Sequence, residues 1–191
     1  RIWIIDMDKK ALVMGCSGQD GSFLCKSLLQ KNWQIIGTSR TNQSNFKNHK
    51  ILKIEGEIKV EVINPLNLKE IINIIQSTNP QNIYYLSAQS SVGKSFSKPL
   101  DTITSIVDGT RNLLEACRQT NYDGNIFFAG SGEIFGNTKQ PANIYSKFMP
   151  KSPYAVAKAE SLMLTNLYRD IYGVNCKTGI LFNHESSLRN E

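Results

Sequence analysis

Histidine is nearly missing from this chain: His49 and His184 are the only two among 191 residues. A histidine-based triad or an imidazole zinc site is therefore disfavoured. The four cysteines, Cys16, Cys25, Cys117 and Cys176, have no metal-ligand spacing. They read as reduced residues in or near a core, so neither a disulfide framework nor a bound metal is expected. No apolar run approaches the length that crosses a bilayer. The opening "RIWIIDMDKK" has too short an apolar stretch for a secretory signal, with no small-residue cleavage site after it, and Met7 is a candidate natural start. No membrane partner and a cytoplasmic location are the expectations. A basic block is also missing. The net charge is +6, but the lysines are scattered, as in "KNHKILK" and "IKVEV". That pattern suits a solvated surface rather than nucleic acid. There is no internal repeat and no low-complexity linker.

What is present is an ordinary globular composition, 40% hydrophobic and 20% charged, long enough for one domain with a sizeable core. Short apolar runs alternate with helical patterns. Strands are expected at 11–14, 34–39, 60–63, 82–88, 125–130 and 175–182. Helices are expected at 20–31 and 67–78, as one long helix at 102–119, and from the "SPYAVAKAE" stretch to Tyr172, stopped by Gly173. This alternation predicts an α/β fold, a doubly wound parallel sheet covered on both faces. The segment from Thr41 to Lys50 is polar and is expected to be a mobile loop. The segment from Gly136 to Lys151 is a long loop of the kind that covers an active site.

Gly15, Gly18 and Gly21 follow the first strand and open the first helix. Glycines there permit a tight turn and a close backbone approach, and the helix N-terminus offers free N–H groups to a pyrophosphate. The second strand ends "GTSR" without the acidic residue that usually holds a ribose 2′-hydroxyl. Arg40 stands there instead and suits a 2′-phosphate, so NADP is favoured over NAD. "VGKS" at 92–95 imitates the tail of a P-loop, but Ala88 occupies the place of its first glycine, and ATP binding is not expected.

Ser152 is a suitable N-cap and Pro153 a suitable first helical residue, which sets Tyr154 and Lys158 one turn apart on one face. An ammonium and a nicotinamide cation nearby favour the phenolate and make a general base for a sugar hydroxyl. The fifth strand ends "AGSGEIFG", at the carboxyl edge where such sheets carry their active groups. Ser131 can bond a substrate oxygen there. Glu133 adds a second proton-transfer group, and loss of water needs a base at one carbon and an acid at its neighbour.

Together "GCSGQDGSFL", "YYLSAQSSV", "DGTRNLLEA", "GSGEIFGN", "SPYAVAKA" and "GILFNHES" resemble the extended short-chain dehydrogenase/reductase superfamily, and within it the GDP-mannose 4,6-dehydratases. The Tyr-x-x-x-Lys pair marks only the superfamily, whereas "SGQDGS" and "GILFNHES" are specific to the dehydratase branch. The resemblance implies a Rossmann-type NAD(P)-binding domain over 1–191, the N-terminal part of a longer enzyme whose sugar-nucleotide lobe is largely absent. It implies a lyase acting on GDP-mannose or a related nucleotide sugar, with Ser131, Glu133, Tyr154 and Lys158 catalytic. It implies that Gly15, Gly18, Gln19, Asp20 and Gly21 line the pyrophosphate and that Arg40 meets the 2′-phosphate. By the same resemblance, Asn64 stands where the family often has an aspartate near the adenine. Leu86, Ala88 and Ser90 flank the cofactor or the sugar. His184 and Arg189 match cofactor contacts, and Asn183 a contact to the substrate diphosphate.

The departures are Thr41 in place of a second arginine, Ser90-Ser91 in place of Ser-His, and Gly132 between Ser131 and Glu133. A homodimer paired through helices 102–119 and 153–172 is expected, or a homotetramer, with Thr41 weighing against the latter. In isolation these residues should bind NADP better than GDP-mannose and turn over little. The competing readings are a nucleotide-sugar 4-epimerase or 4-ketoreductase on the same scaffold, and a non-catalytic nucleotide-binding module.

Overall fold

The computed structural model describes residues 9–40 and 46–188. Strand β1 (Lys10–Met14) carries Ala11, Leu12, Val13 and Met14 with no exposure at all. Such a run is tolerated only where a sheet is covered on both faces. Alternate residues go to opposite layers. Leu12 and Met14 join one core with Ile83, Leu113, Leu114, Ile126 and Phe128, while Ala11 and Val13 join another with Cys25, Leu28, Ile35 and Phe46.

The remaining strands are β2 (Gln34–Ser39), β3 (Lys59–Val62), β4 (Asn82–Tyr85), β5 (Asn125–Ala129) and β6 (Cys176–Gly179). All pairings are parallel, in the order β3-β2-β1-β4-β5-β6, with Leu12 beside Ile36 on one side and Ile83 on the other. The chain therefore reverses its direction of travel between β1 and β4. In open α/β sheets that reversal leaves a crevice at the carboxyl ends of the strands.

Helices α1 (Gln19–Leu29) and α2 (Lys47–Leu52) pack together at one face. Helix α3 (Leu68–Thr78) starts at Asn67, whose side chain accepts from the Lys69 and Glu70 amides, while the Glu70 carboxylate reaches back to the Asn64 amide and the Asn67 side chain. This reciprocal capping fixes where β3 hands over to the helix. Then come α4 (Val92–Ser97), α5 (Pro99–Ile103), a π-helical segment (Thr104–Asp108), α6 (Gly109–Gln119), a 3₁₀ turn (Gly132–Phe135) and α7 (Pro153–Tyr172). Helix α7 has the expected start and stop: the Ser152 hydroxyl accepts from the Ala155 amide at 3.1 Å, and Gly173 leaves the helix at φ +70°.

Four expectations from sequence are corrected. Residues 46–50 are not a mobile loop: Phe46 and His49 are buried and α2 runs from Lys47, while 41–45, including Thr41, lie outside the described residues. The helix expected over 102–119 begins earlier, at Pro99, and contains the π segment. β4 stops at Tyr85 rather than residue 88, because its pairing ends with Met14; the chain then turns through Ala88 at φ +142°. β6 stops at Gly179 rather than residue 182, since β5 ends at Ala129. Beyond it the two segments are joined by Gly130 N–H to Gly179 O and Gly132 N–H to Leu181 O.

Candidate active site

The glycine loop divides its work between its three glycines. Gly15 turns at φ +86°, and a side chain there would meet the Leu86 backbone at 2.9 Å. A side chain on Gly21 would meet the Cys16 Cα at 2.9 Å, so α1 can approach β1 only as glycine. Gly18 is different: its nearest protein atom would be 3.5 Å away. The protein itself does not demand glycine at 18; a ligand lying against the loop would. Gly18 caps α1 without a side-chain bond. The next amides thus face the crevice with the positive end of the helix behind them.

Two hollows meet over this loop. The first, about 540 Å³, runs from Gly15 and Gly18 past Thr38, Ser39 and Arg40 to Asn64, Pro65 and Leu66. The second, about 780 Å³, runs from the same glycines past Gln89 and Ser90 to Ser131, Glu133, Tyr154 and Lys158. Leu86, Ser87 and Ala88 border both. A long groove with a diphosphate cradle at its waist, one arm ending at a guanidinium and the other at a phenol, has the layout of a dinucleotide site. The residues present fit a nicotinamide dinucleotide: Gly18 leaves the cradle open, and Arg40 is an exposed cation with no ion pair among the described residues.

The sequence-derived cofactor residues fall on this groove with one exception. Gln19, Asp20 and Gly21 line the second hollow, as do Ser90, Asn183 and His184. Asn64 lines the first, its side-chain oxygen accepting from the Leu66 amide at 3.1 Å. Arg189 lies outside the described residues. His184 does more than line the wall. Its Nδ1 meets the Phe182 carbonyl and its Nε2 the Asp20 carboxylate, each at 2.8 Å. Both partners accept, so the ring makes both bonds only when both nitrogens carry hydrogen. The contact ties the segment after β6 to the first turn of α1.

At the far arm the 3₁₀ turn and α7 bring the chemistry together. Ser131 and Tyr154 are buried, and Glu133 is half-buried on the same wall. The Ser131 hydroxyl accepts from the Glu133 amide at 3.3 Å, which fixes the turn that carries the carboxylate. Burial raises the Tyr154 phenol above its usual range. The hydrogen bond with Ser131 opposes this and the nearby Glu133 charge adds to it. Lys158 donates to the Ala129 carbonyl at 2.8 Å and lies 5.7 Å from the centre of the Tyr154 ring. Withdrawal from water pushes its ammonium down from 10.5 to about 8. Glu133 lines the same hollow as Tyr154, and its charge acts on the phenol.

Sequence reading missed the strained neighbour of these groups. Ala88 holds φ +142°, a region L-residues rarely enter, at the border of both hollows. Gln89 holds the strained peptide in place. Its backbone amide donates to Ser105 Oγ at 3.2 Å, and its side chain bonds Ser91 and Thr102 Oγ1. A polar cluster directly after a buried strand was the available signal.

Several known proteins are similar to this chain. The chain is 36% identical over 202 residues to GDP-mannose 4,6 dehydratase 1 of Arabidopsis thaliana, covering 98% of this chain and 55% of that protein. It is 37% identical over 195 residues to GDP-mannose 4,6-dehydratase of Yersinia enterocolitica, covering 96% and 52%. It thus spans about half the length of these curated relatives. Among solved structures, UDP-glucose 4-epimerase from Brucella ovis in complex with NAD superposes with TM-score 0.79 at 22% identity, over 89% of this chain and 50% of that one. The dTDP-glucose 4,6-dehydratase of Streptomyces venezuelae with NAD bound does so with TM-score 0.79 at 20% identity, over 88% and 54%. These likenesses support the fold. The family model for GDP-mannose 4,6 dehydratase matches residues 12–191, and by that match the chain belongs to the GDP-mannose 4,6-dehydratase family.

Proposed function

We propose that this groove serves the dehydration of GDP-mannose to GDP-4-keto-6-deoxy-mannose, with NADP as a resident cofactor. The reading is carried by one observation: residues bearing a carboxylate, a phenol and a hydroxyl line one hollow that continues to the glycine loop. Bound there, the nicotinamide would accept hydride from C4 of the sugar and return it to C6, so that no net oxidation occurs.

The chain's own groups would manage the protons. Tyr154 takes the proton of the 4-hydroxyl as the C4 hydride leaves. It would do so from its phenolate form, which the Lys158 ammonium 5.7 Å from the ring centre would favour and which burial and the Glu133 charge oppose. A ketone at C4 acidifies the C5 hydrogen, which Glu133 removes. The same carboxyl group then gives its proton to the departing C6 hydroxyl, which leaves as water. The proton gathered by Tyr154 returns to C5, with Ser131 holding the C4 oxygen throughout, and the balance closes on substrate, product and one water.

The family resemblance and the open end of the hollow support a GDP-sugar in the second arm. Arg40 supports NADP over NAD in the first.

The test is incubation of the full-length protein, carrying these residues, with GDP-mannose and NADP in deuterated water. The expected outcome is absorbance of a 4-keto product with deuterium at C5. Glu133→Gln should lose both signals by at least about a hundredfold, the usual scale for a proton-transfer group. An unaltered Glu133→Gln variant, or a product still bearing its 6-hydroxyl, refutes the proposal.

A further inference from the structure

His49 is fully buried in a segment that composition marks as a surface loop. Its Nε2 meets the Cys16 carbonyl at 2.8 Å, which can only accept, so the ring hydrogen lies on Nε2. Nδ1 is buried with no partner among the described residues, and the edge of the ring packs against Phe46 at 5.0 Å between centroids. An unpaired buried nitrogen is costly, so the position must gain from the bond it does make. That bond goes to the glycine loop. So does its neighbour's: Asn48 Nδ2 donates to the Ser17 carbonyl at 3.1 Å. Ser22 Oγ adds a second donor to Cys16 O at 3.1 Å.

The two carbonyls between Gly15 and Gly18 are therefore both drawn back and paired. A carbonyl swung forward would set a negative dipole against a diphosphate; held back, the loop presents its amides. We propose that Asn48 and His49 are positioning residues that hold the phosphate-binding loop in its anion-accepting shape. The inference rests on the reading of the groove as an NADP site. It also connects the two arms of the groove, because α2 follows Arg40 closely in sequence while its Asn48 and His49 side chains bond the glycine loop.

The test uses the full chain and two probes, NADPH followed by its fluorescence and 2′-AMP followed by displacement of NADPH. 2′-AMP has the 2′-phosphate but no pyrophosphate. His49→Leu and Asn48→Ala should each weaken NADPH about tenfold, the scale of one hydrogen bond lost from a binding loop, with 2′-AMP unchanged. His49→Gln, which keeps a donor, should recover most of the loss. Asn48 is only half-buried, so its variant decides the matter if His49→Leu fails to fold. Equal weakening of both probes, or no weakening, overturns the assignment while leaving the groove's reading intact. A wild-type chain that binds neither probe overturns both.

Discussion

Replacing Lys158 with methionine separates two roles of one ammonium. The side chain lies mostly out of water and its ammonium is pushed down from 10.5 to about 8 by burial. The unfolded chain holds its proton up to the higher value and the folded chain only to the lower. Stability therefore rises with pH between the two. Relative to a neutral amine, the buried charge costs about 3 kcal/mol at pH 7 and about 2 kcal/mol at pH 9, and almost nothing once the pH reaches the unfolded value. Methionine removes that cost, at the expense of the 2.8 Å bond to the Ala129 carbonyl. An unsatisfied carbonyl offsets about 1–2 kcal/mol of the gain. Lys158→Met should thus be more stable than wild type by about 1–2 kcal/mol at pH 7. The bond term does not depend on pH, so the gap should narrow by about 1 kcal/mol between pH 7 and pH 9. Urea denaturation at pH 7, 8 and 9 measures both quantities. Turnover of GDP-mannose should be lost in the same variant. Stability curves for the two proteins that run parallel across this range would refute the argument that burial weakens this ammonium.

Two further outcomes follow from geometry. Gly21→Ala drives a methyl to 2.9 Å from the Cys16 Cα and should lower stability by about 1–3 kcal/mol. Gly18→Ala, with 3.5 Å of clearance, should keep its melting temperature yet lose at least about tenfold in NADPH affinity; equal melting losses in the two variants would contradict the division of labour in the loop. On α7 the apolar side chains Val156, Met163, Leu167 and Ile171 are all exposed in one stripe, which supports pairing with a second copy. Light scattering at micromolar concentration should show a dimer that Leu167→Glu reduces to a monomer, and a monomeric wild type rules the stripe out as an interface.

The sheet was readable because its strands are apolar on both sides, as at Ala11–Met14, and because Asn67, Ser152, Pro153 and Gly173 punctuate the helices by local chemistry. The glycine loop and the Tyr154–Lys158 pair were readable for the same reason, their spacing being itself the requirement. What escaped was decided by tertiary contact. Nothing local in "NFKNHK" announces a helix, since α2 exists to bury Phe46 and to bond the glycine loop. The ends of β4 and β6 were overrun because Leu86 and Ile180 are apolar enough to continue a strand, while pairing stops with the neighbours Met14 and Ala129. The Ala88 turn could not be read from an alanine, a residue that gives no warning of positive φ.

The π segment between α5 and α6 has a mechanical corollary. Five residues there complete a wider turn than the α-helix allows, so the frame upstream is rotated against the frame downstream by about 100°, the angle of one residue. Leu100, Asp101, Thr104 and Ser105 consequently border the groove, while Leu113, Leu114 and Cys117 further along face the core. Removing a single residue from Thr104–Asp108 would restore a regular α-helix. It would also turn Ser105 away from the Gln89 amide and release the strained peptide at Ala88.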